Sequence, residues 1–196
     1  MSIRRLDDIV IQAIQTAGQT SHRMQPVATG SVRKKQTEID EAIDHSVINC
    51  LDIIKQHCPE DALPGEAYTE DQRRWIVNAV DGRINYGHGL ETWATSLAVV
   101  EKEEVLASAI YQPTNDILYV FTDRQPACTY DTNRMTTVEV LRTSAIDRLD
   151  QALVLVSSTA DISIAPDAID ELISKTNAKR SFGCPSLELG WVASGK

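Results

Sequence analysis

Between Leu6 and Ala17 the apolar positions recur as Leu6, Ile9, Val10, Ala13, Ile14 and Ala17, the three-and-four spacing of one helical face, and Gly18 is placed to end that helix. The next stretch, Gln19 to Arg33, is rich in Gln, Ser, Thr and Gly, contains Pro26 and has little periodicity, which predicts a surface loop. A second helix is predicted through Ile39, Ile43, Val47, Leu51 and Ile54, with Thr37 as its N-cap and Cys58-Pro59 closing it. Its apolar stripe should face the core. Asp61 to Asp71, with Pro64, Gly65 and several acids, reads as a loop leading to the apolar run Trp75, Ile76, Val77 and a tight turn at Asp81-Gly82.

Further along, Ala94 to Val100 and Val105 to Tyr111 flank Glu101 to Glu104 as the two arms of a hairpin, and Ile117 to Phe121 adds a third strand of an antiparallel sheet. Leu153 to Val156 is predicted as a buried strand and Pro166 to Ser174 as a helix with proline in its first turn. Leu187 to Val192 is a last apolar element. Helices alternate with strands, which favours an α/β or α+β layered fold without internal repeats.

Composition narrows the function. A chain of 196 residues suits one domain, or two small lobes sharing a core, and its 42% hydrophobic and 24% charged content excludes wholesale disorder. With 28 acids against 19 bases the net charge is −9, and Arg33-Lys34-Lys35 is the one compact basic stretch, so nucleic-acid backbone binding is not expected. No apolar run approaches the roughly 18 to 20 residues of a membrane-spanning helix. Arg4 and Arg5 lead into Asp7 and Asp8 rather than an apolar secretory segment, and Cys50, Cys58, Cys128 and Cys184 form no C-x-x-C pair. A reducing cytoplasm is the expected compartment.

Candidate chemistry sits in Gly65-Glu66 and in Trp75-Ile76-Val77-Asn78-Ala79-Val80-Asp81-Gly82-Arg83-Ile84-Asn85-Tyr86. An acid on a glycine loop and an acid on a strand-ending turn can converge on one cavity, which is how hard oxygen donors are assembled around Mg²⁺. The same two carboxylates on solvated turns would be chemically silent, and spacing by itself leaves both readings open.

These segments resemble the inositol monophosphatase family of Mg²⁺-dependent, lithium-sensitive phosphatases, whose members carry a Gly-Glu-Glu loop followed by Trp-Ile-x-Asp-Pro-x-Asp-Gly-Thr-x-Asn-Phe. Gln36-Thr37-Glu38-Ile39-Asp40 is similar to the family's Val-Thr-Glu-Ala-Asp helix opening, and Gly87-His88-Gly89 fits the segment after the aspartate motif. Gly183-Cys184-Pro185-Ser186-Leu187-Glu188-Leu189 and Val192-Ala193-Ser194-Gly195 are similar to the family's Gly-Ser-Ala-Ala-Leu-Asp-Leu and Val-Ala-x-Gly. The resemblance implies a layered αβαβα sandwich over residues 1–196, shortened at the C-terminus, with the metal motif in a lobe of residues 1–125 and an incomplete second lobe in 126–196. It implies hydrolysis of a phosphate monoester by a metal-held water, and a homodimer. Glu66 and Asp81 then occupy metal-ligand positions, Asn78 the bridging metal position, and Asp40 a position near a further metal or the water. Gly82, Arg83, Gly183 and Cys184 border the substrate.

The departures from the motif bear on the chemistry. Asn78 replaces the bridging aspartate, Ala67 the second glutamate, and Arg83 the threonine that orients the nucleophilic water, and no Trp-Asp pair is present. A neutral amide is a poorer Mg²⁺ ligand than a carboxylate and leaves cation repulsion uncompensated. Mg²⁺ is therefore expected to be weakly held or lost and catalysis impaired. Arg83, either exposed on its turn or close to Glu66, Asp81 or Asp40, is the candidate for replacing part of the metal charge and for a catalytic role beside Asp40.

Three functions stay open: binding of a phosphorylated polyol or sugar, or of a protein partner; Mg²⁺-dependent phosphomonoesterase activity; and a relic without activity. Without further C-terminal layers, Leu153 to Val156 and the last apolar element should meet a second copy or a partner. Other signals are weak. His45 and His57 lie twelve residues apart on one helix, which fits no zinc spacing, and His88 is expected to be satisfied by water. Ser186 lacks a G-x-S-x-G elbow, Gly82 to Gly89 is not followed by Gly-Lys-Ser/Thr, and Cys184 is expected to be buried and inert.

Overall fold

The computed structural model describes residues 5–26, 32–134, 136–156, 166–176 and 178–196. Helices α1 (Leu6–Arg23) and α2 (Val32–His57) pack on each other and cover one face of a six-stranded antiparallel sheet. The periodic residues of α1 do this work: Ile9, Val10, Ala13, Ile14 and Ala17 are buried against Leu97, Val99, Ala109, Leu118 and Val120 of the sheet. Burying an apolar stripe on a pleated face is what stabilises an amphipathic helix that would be marginal alone.

Both helices extend further than their apolar pattern. Gly18 lies inside α1 rather than ending it, because a Cβ there would stand 2.5 Å from the Tyr111 ring, so the missing side chain lets helix and sheet approach closely. The polar residues after it are also helical and partly buried. The Ser21 and Ser46 hydroxyls lie 2.6 Å apart, and Asn49 Nδ2 donates to Thr20 Oγ1 at 3.1 Å. Helix α2 begins at Val32, so Thr37 is inside it and does not cap it. Of the predicted Gln19 to Arg33 loop, residues 27–31 lie outside the described residues.

The sheet runs in sequence order as β1 (Arg74–Asp81), β2 (Ala94–Glu101), β3 (Glu104–Gln112), β4 (Ile117–Thr122), β5 (Gln125–Asp131) and β6 (Thr136–Val140). The predicted hairpin is present, its turn carried by Lys102 and Glu103 at φ 50° and 63°. Strands β5 and β6 carry the sheet past residue 125, to Val140. The outer edge of β1 is covered by the preceding loop: Ala62 N donates to Arg73 O and Trp75 N to Ala62 O, both at 2.9 Å.

In the remaining chain β7 (Leu153–Leu155) pairs in parallel with β8 (Ala178–Arg180), with α4 (Pro166–Ser174) between them in sequence. Leu153 is 48% exposed, so this strand is not the buried one its composition predicts; β8 is its one partner among the described residues. Helix α5 (Pro185–Ala193) is the predicted Leu187 to Val192 element and lies against β2 and β3. Gly190 lets the helix come close to β4 as well, since a Cβ there would come within 2.9 Å of the Tyr119 ring. The result is an α+β arrangement with helices on both faces of the main sheet. Among the described residues no helix is long and apolar enough to cross a membrane.

Candidate functional site: a cleft at the end of β1

Strand β1 leaves its ladder between Asn78, paired with Ser96, and Asp81, paired with Ala94, where the register shifts. The chain then turns through Gly82 at φ 80°, a left-handed conformation that glycine adopts at little cost. A side chain there would be crowded as well, with a Cβ 3.0 Å from Thr92 O and 3.2 Å from Gly183 O. The turn opens the short helix α3 (Arg83–Gly87), which is tied at two points. Asn85 Nδ2 donates to Thr92 O and Phe182 O, each at 2.7 Å, and the buried Tyr86 hydroxyl donates to Ser21 O at 2.7 Å. Residues from β1, α3 and the approach to α5 are thereby held against one another.

Asp81 has a definite partner. Its Oδ2 accepts the Ser186 N–H at 2.7 Å, at the first turn of α5, and the Cys184 Sγ lies 3.5 Å from the same oxygen. A carboxylate at a helix N-terminus satisfies a donor that the helix itself cannot and meets the positive end of the helix dipole. Cys184 is fully buried, and that burial pushes its thiol up to about 12, with the neighbouring Asp81 and Glu188 charges acting in the same direction. It is therefore a protonated, packed cysteine. Glu188, 5% exposed, accepts the Phe182 N–H at 2.9 Å and fixes the loop in front of the helix.

Arg83 is 57% exposed at the cleft rim, and its Nη2 stands 3.7 Å from Asp40 Oδ1, a carboxylate 52% exposed that also accepts from Gln36 Nε2 at 3.0 Å. Of the three acids considered for Arg83, Asp40 is the one it meets. An ion pair this open and this long is worth at most about 1 kcal/mol, so the guanidinium keeps donors for another anion. Glu66 is exposed in its own loop, where Oε2 accepts the Leu63 N–H at 2.9 Å.

The cleft itself measures about 720 Å³, and Asn78, Asp81, Gly82, Arg83 and Gly183 line it, with Cys184 packed against Asp81. Asp40 joins this group only at the rim, through Arg83, and Glu66 is not part of the lining. Among the described residues no three His, Cys, Asp or Glu side chains gather as metal ligands would. Sequence reasoning did not single out four residues that shape the cavity: Ile43 and Val47 of α2, Asn85 and Phe182. Asn85 had a signal, since it belongs to the aspartate motif. Ile43 and Val47 look like ordinary core positions in a helical stripe.

Comparison with known proteins agrees with this fold. The model of the inositol monophosphatase family matches residues 4–196. A fructose-1,6-bisphosphatase/inositol-1-monophosphatase of Thermotoga maritima is 26% identical over 163 residues, 82% of this chain and 59% of its own length. An inositol-1-monophosphatase of Bacillus subtilis is 26% identical over 202 residues, 97% of this chain and 74% of its own. Among solved structures, the extragenic suppressor protein suhB of Bartonella henselae superposes with a TM-score of 0.80 at 23% identity, over 98% of this chain and 73% of that one. The inositol monophosphatase of Anabaena gives 0.76 at 23% identity, over 96% and 70%.

Proposed function

The chain belongs to the inositol monophosphatase family, and from that membership we propose that its cleft binds a small phosphate monoester, of the phosphorylated polyol or sugar kind, without Mg²⁺-dependent turnover. One observation carries the proposal: among the described residues the cleft lining holds one base, Arg83, and one acid, Asp81, whose Oδ2 is already bonded to Ser186 N. Such a lining suits an anion better than a cation. Arg83 has the planar donor fork that pairs with phosphate oxygens, and its contact with Asp40 is weak enough to be exchanged for a dianion.

The donor set does not suit a pair of Mg²⁺ ions. Two divalent ions call for several carboxylates converging on one point, whereas the motif positions supply Asp81 in its helix-capping contact, Glu66 bonded within its own loop, and the neutral amide of Asn78. What the residues of the chain do is therefore limited to binding and orienting: Arg83 takes the phosphate, while Gly82 and Gly183, both at positive φ, bring backbone close to the ligand.

The test is calorimetric titration of myo-inositol 1-phosphate in the presence of a chelator, with phosphate release followed in parallel in Mg²⁺. Binding without release, weakened about tenfold or more in Arg83→Gln, is the expected result. A second reading, a working phosphomonoesterase, is favoured by the retention of Glu66 and Asp81 at metal-ligand positions and by the names of the relatives. Mg²⁺-dependent release that disappears in Glu66→Gln would establish it and overturn the first.

A further inference from the structure

We propose that the cleft prefers phosphate monoesters whose alcohol carries an aromatic or apolar body over those of fully hydroxylated polyols. The inference rests on the reading of the cleft as a phosphate-ester site and replaces the polyol or sugar kind, which family membership suggested, by one argued from what sits beside the phosphate. A polyol ring brings a hydroxyl on nearly every carbon, and each one that leaves water without a partner costs affinity by roughly a factor of ten. The cleft has few groups to offer. Both N–H bonds of the Asn85 amide face carbonyls, Thr92 O and Phe182 O, and Asp81 Oδ2 holds Ser186 N. With Arg83 engaged by the phosphate, the Asn78 amide, the Ser181 hydroxyl, the other Asp81 oxygen and the Asn85 amide oxygen are the polar side-chain groups left for hydroxyls among the described lining residues.

Apolar surface, in contrast, is plentiful and well placed. Ile43 and Val47 are four residues apart on α2 and so share one face of it, turned to the cavity. Phe182 comes from the loop before α5, more than a hundred residues later, and lines the same space. Its ring is held in place: it meets Trp191 edge to face, centroids 4.9 Å apart at 81°, while its backbone N–H is bonded to Glu188. A fixed aromatic wall costs little conformational entropy on binding and pairs favourably with another ring. Arg83 at the rim and the apolar walls behind it thus match a ligand with an anionic head and an apolar body.

The experiment titrates phenyl phosphate, myo-inositol 1-phosphate and inorganic phosphate into the protein in the presence of a chelator. Phenyl phosphate should bind at least about tenfold more tightly than inositol 1-phosphate, the cost of one unpartnered hydroxyl, the others staying in water at the open mouth of the cleft. Phe182→Ala should narrow that ratio several-fold. Val47→Thr, close in shape and facing the open cleft rather than the packed core, should narrow it in the same direction by adding a hydroxyl to the wall. Inositol 1-phosphate binding as tightly as phenyl phosphate, or a ratio unmoved by both variants, would overturn the preference while leaving the phosphate-ester reading intact. If none of the three ligands bound, the phosphate-ester reading itself would fall, and the preference with it.

Discussion

Replacing Asp81 by alanine should destabilise the protein even when no metal or ligand is present. The carboxylate accepts the Ser186 N–H at 2.7 Å across 105 residues of sequence and stands at the N-terminus of α5. A hydrogen bond to a charged acceptor contributes about 1.5 to 3 kcal/mol, and a negative charge in the first turn of a helix about 0.3 to 1 kcal/mol. Because Asp81 is only half-buried, the lower part of that range applies, so Asp81→Ala should cost about 2 kcal/mol. In a domain of this size that lowers the melting temperature by about 4 to 8 °C. Asp81→Asn keeps an acceptor oxygen and loses only the charge, and should cost about half as much.

Thermal and urea unfolding followed by far-ultraviolet circular dichroism, in a chelator, measures both, with Glu66→Gln as the control. Glu66 is exposed and its amide keeps an acceptor for Leu63 N, so the control should shift stability by less than about 0.5 kcal/mol. The opposite sign has a clear meaning. A carboxylate retained chiefly to hold an ion is a liability in the ion-free protein, and its removal leaves stability unchanged or raised. If Asp81→Ala melted no lower than the wild type, the capping role would be refuted and the cation reading of this residue strengthened.

Three further outcomes are expected. Gly82→Ala combines a positive φ with a Cβ 3.0 Å from Thr92 O, so calorimetric melting should register a loss of about 1 to 3 kcal/mol. Burial pushes the thiols of Cys50 and Cys184 up to about 12, so the folded protein binds more protons than the unfolded chain once the pH exceeds the ordinary thiol value. Their stabilising contribution is complete below that value and is lost as pH rises toward 12, which urea titrations at pH 8 and above should show as a falling midpoint. Finally, Ile76, Leu189 and Val192 are 51%, 66% and 48% exposed, and we propose that such surfaces meet a second copy; light scattering should report a dimer at micromolar concentration, and a monomer would refute this.

What could be read from the sequence was set by how local each cause is. The helical stripe of Leu6 to Ala17, the β2–β3 hairpin and the Pro166–Ser174 helix arise from spacing and turn residues, and each stands where its pattern put it. Gly18 misled because glycine has two uses: here it accommodates the Tyr111 ring rather than ending a helix, and Tyr111 lies on a strand no local rule connects to it. Thr20 and Ser21 resembled loop residues because their partners, Asn49, Ser46 and Tyr86, are supplied by other helices.

The cleft divides along the same line. Asn78, Asp81, Gly82 and Arg83, which line the cleft, stand at motif positions, but which of them act on one another was not legible, and Glu66, also at a motif position, lies outside the lining. The bond from Ser186 to Asp81 spans more than half of the chain, and no local pattern announces that one oxygen of that carboxylate closes a helix. Arg83 faced a choice of three acids on paper; the start of α2 brings Asp40 to it and no other. Ile43 and Val47 look like core until Phe182 arrives from the far end of the chain and leaves a cavity between surfaces that each expected to be covered. Apolar periodicity states that a face must be buried, not what buries it. In this protein that unspoken half, a helix stripe meeting an open cleft, is what the proposed ligand preference rests on.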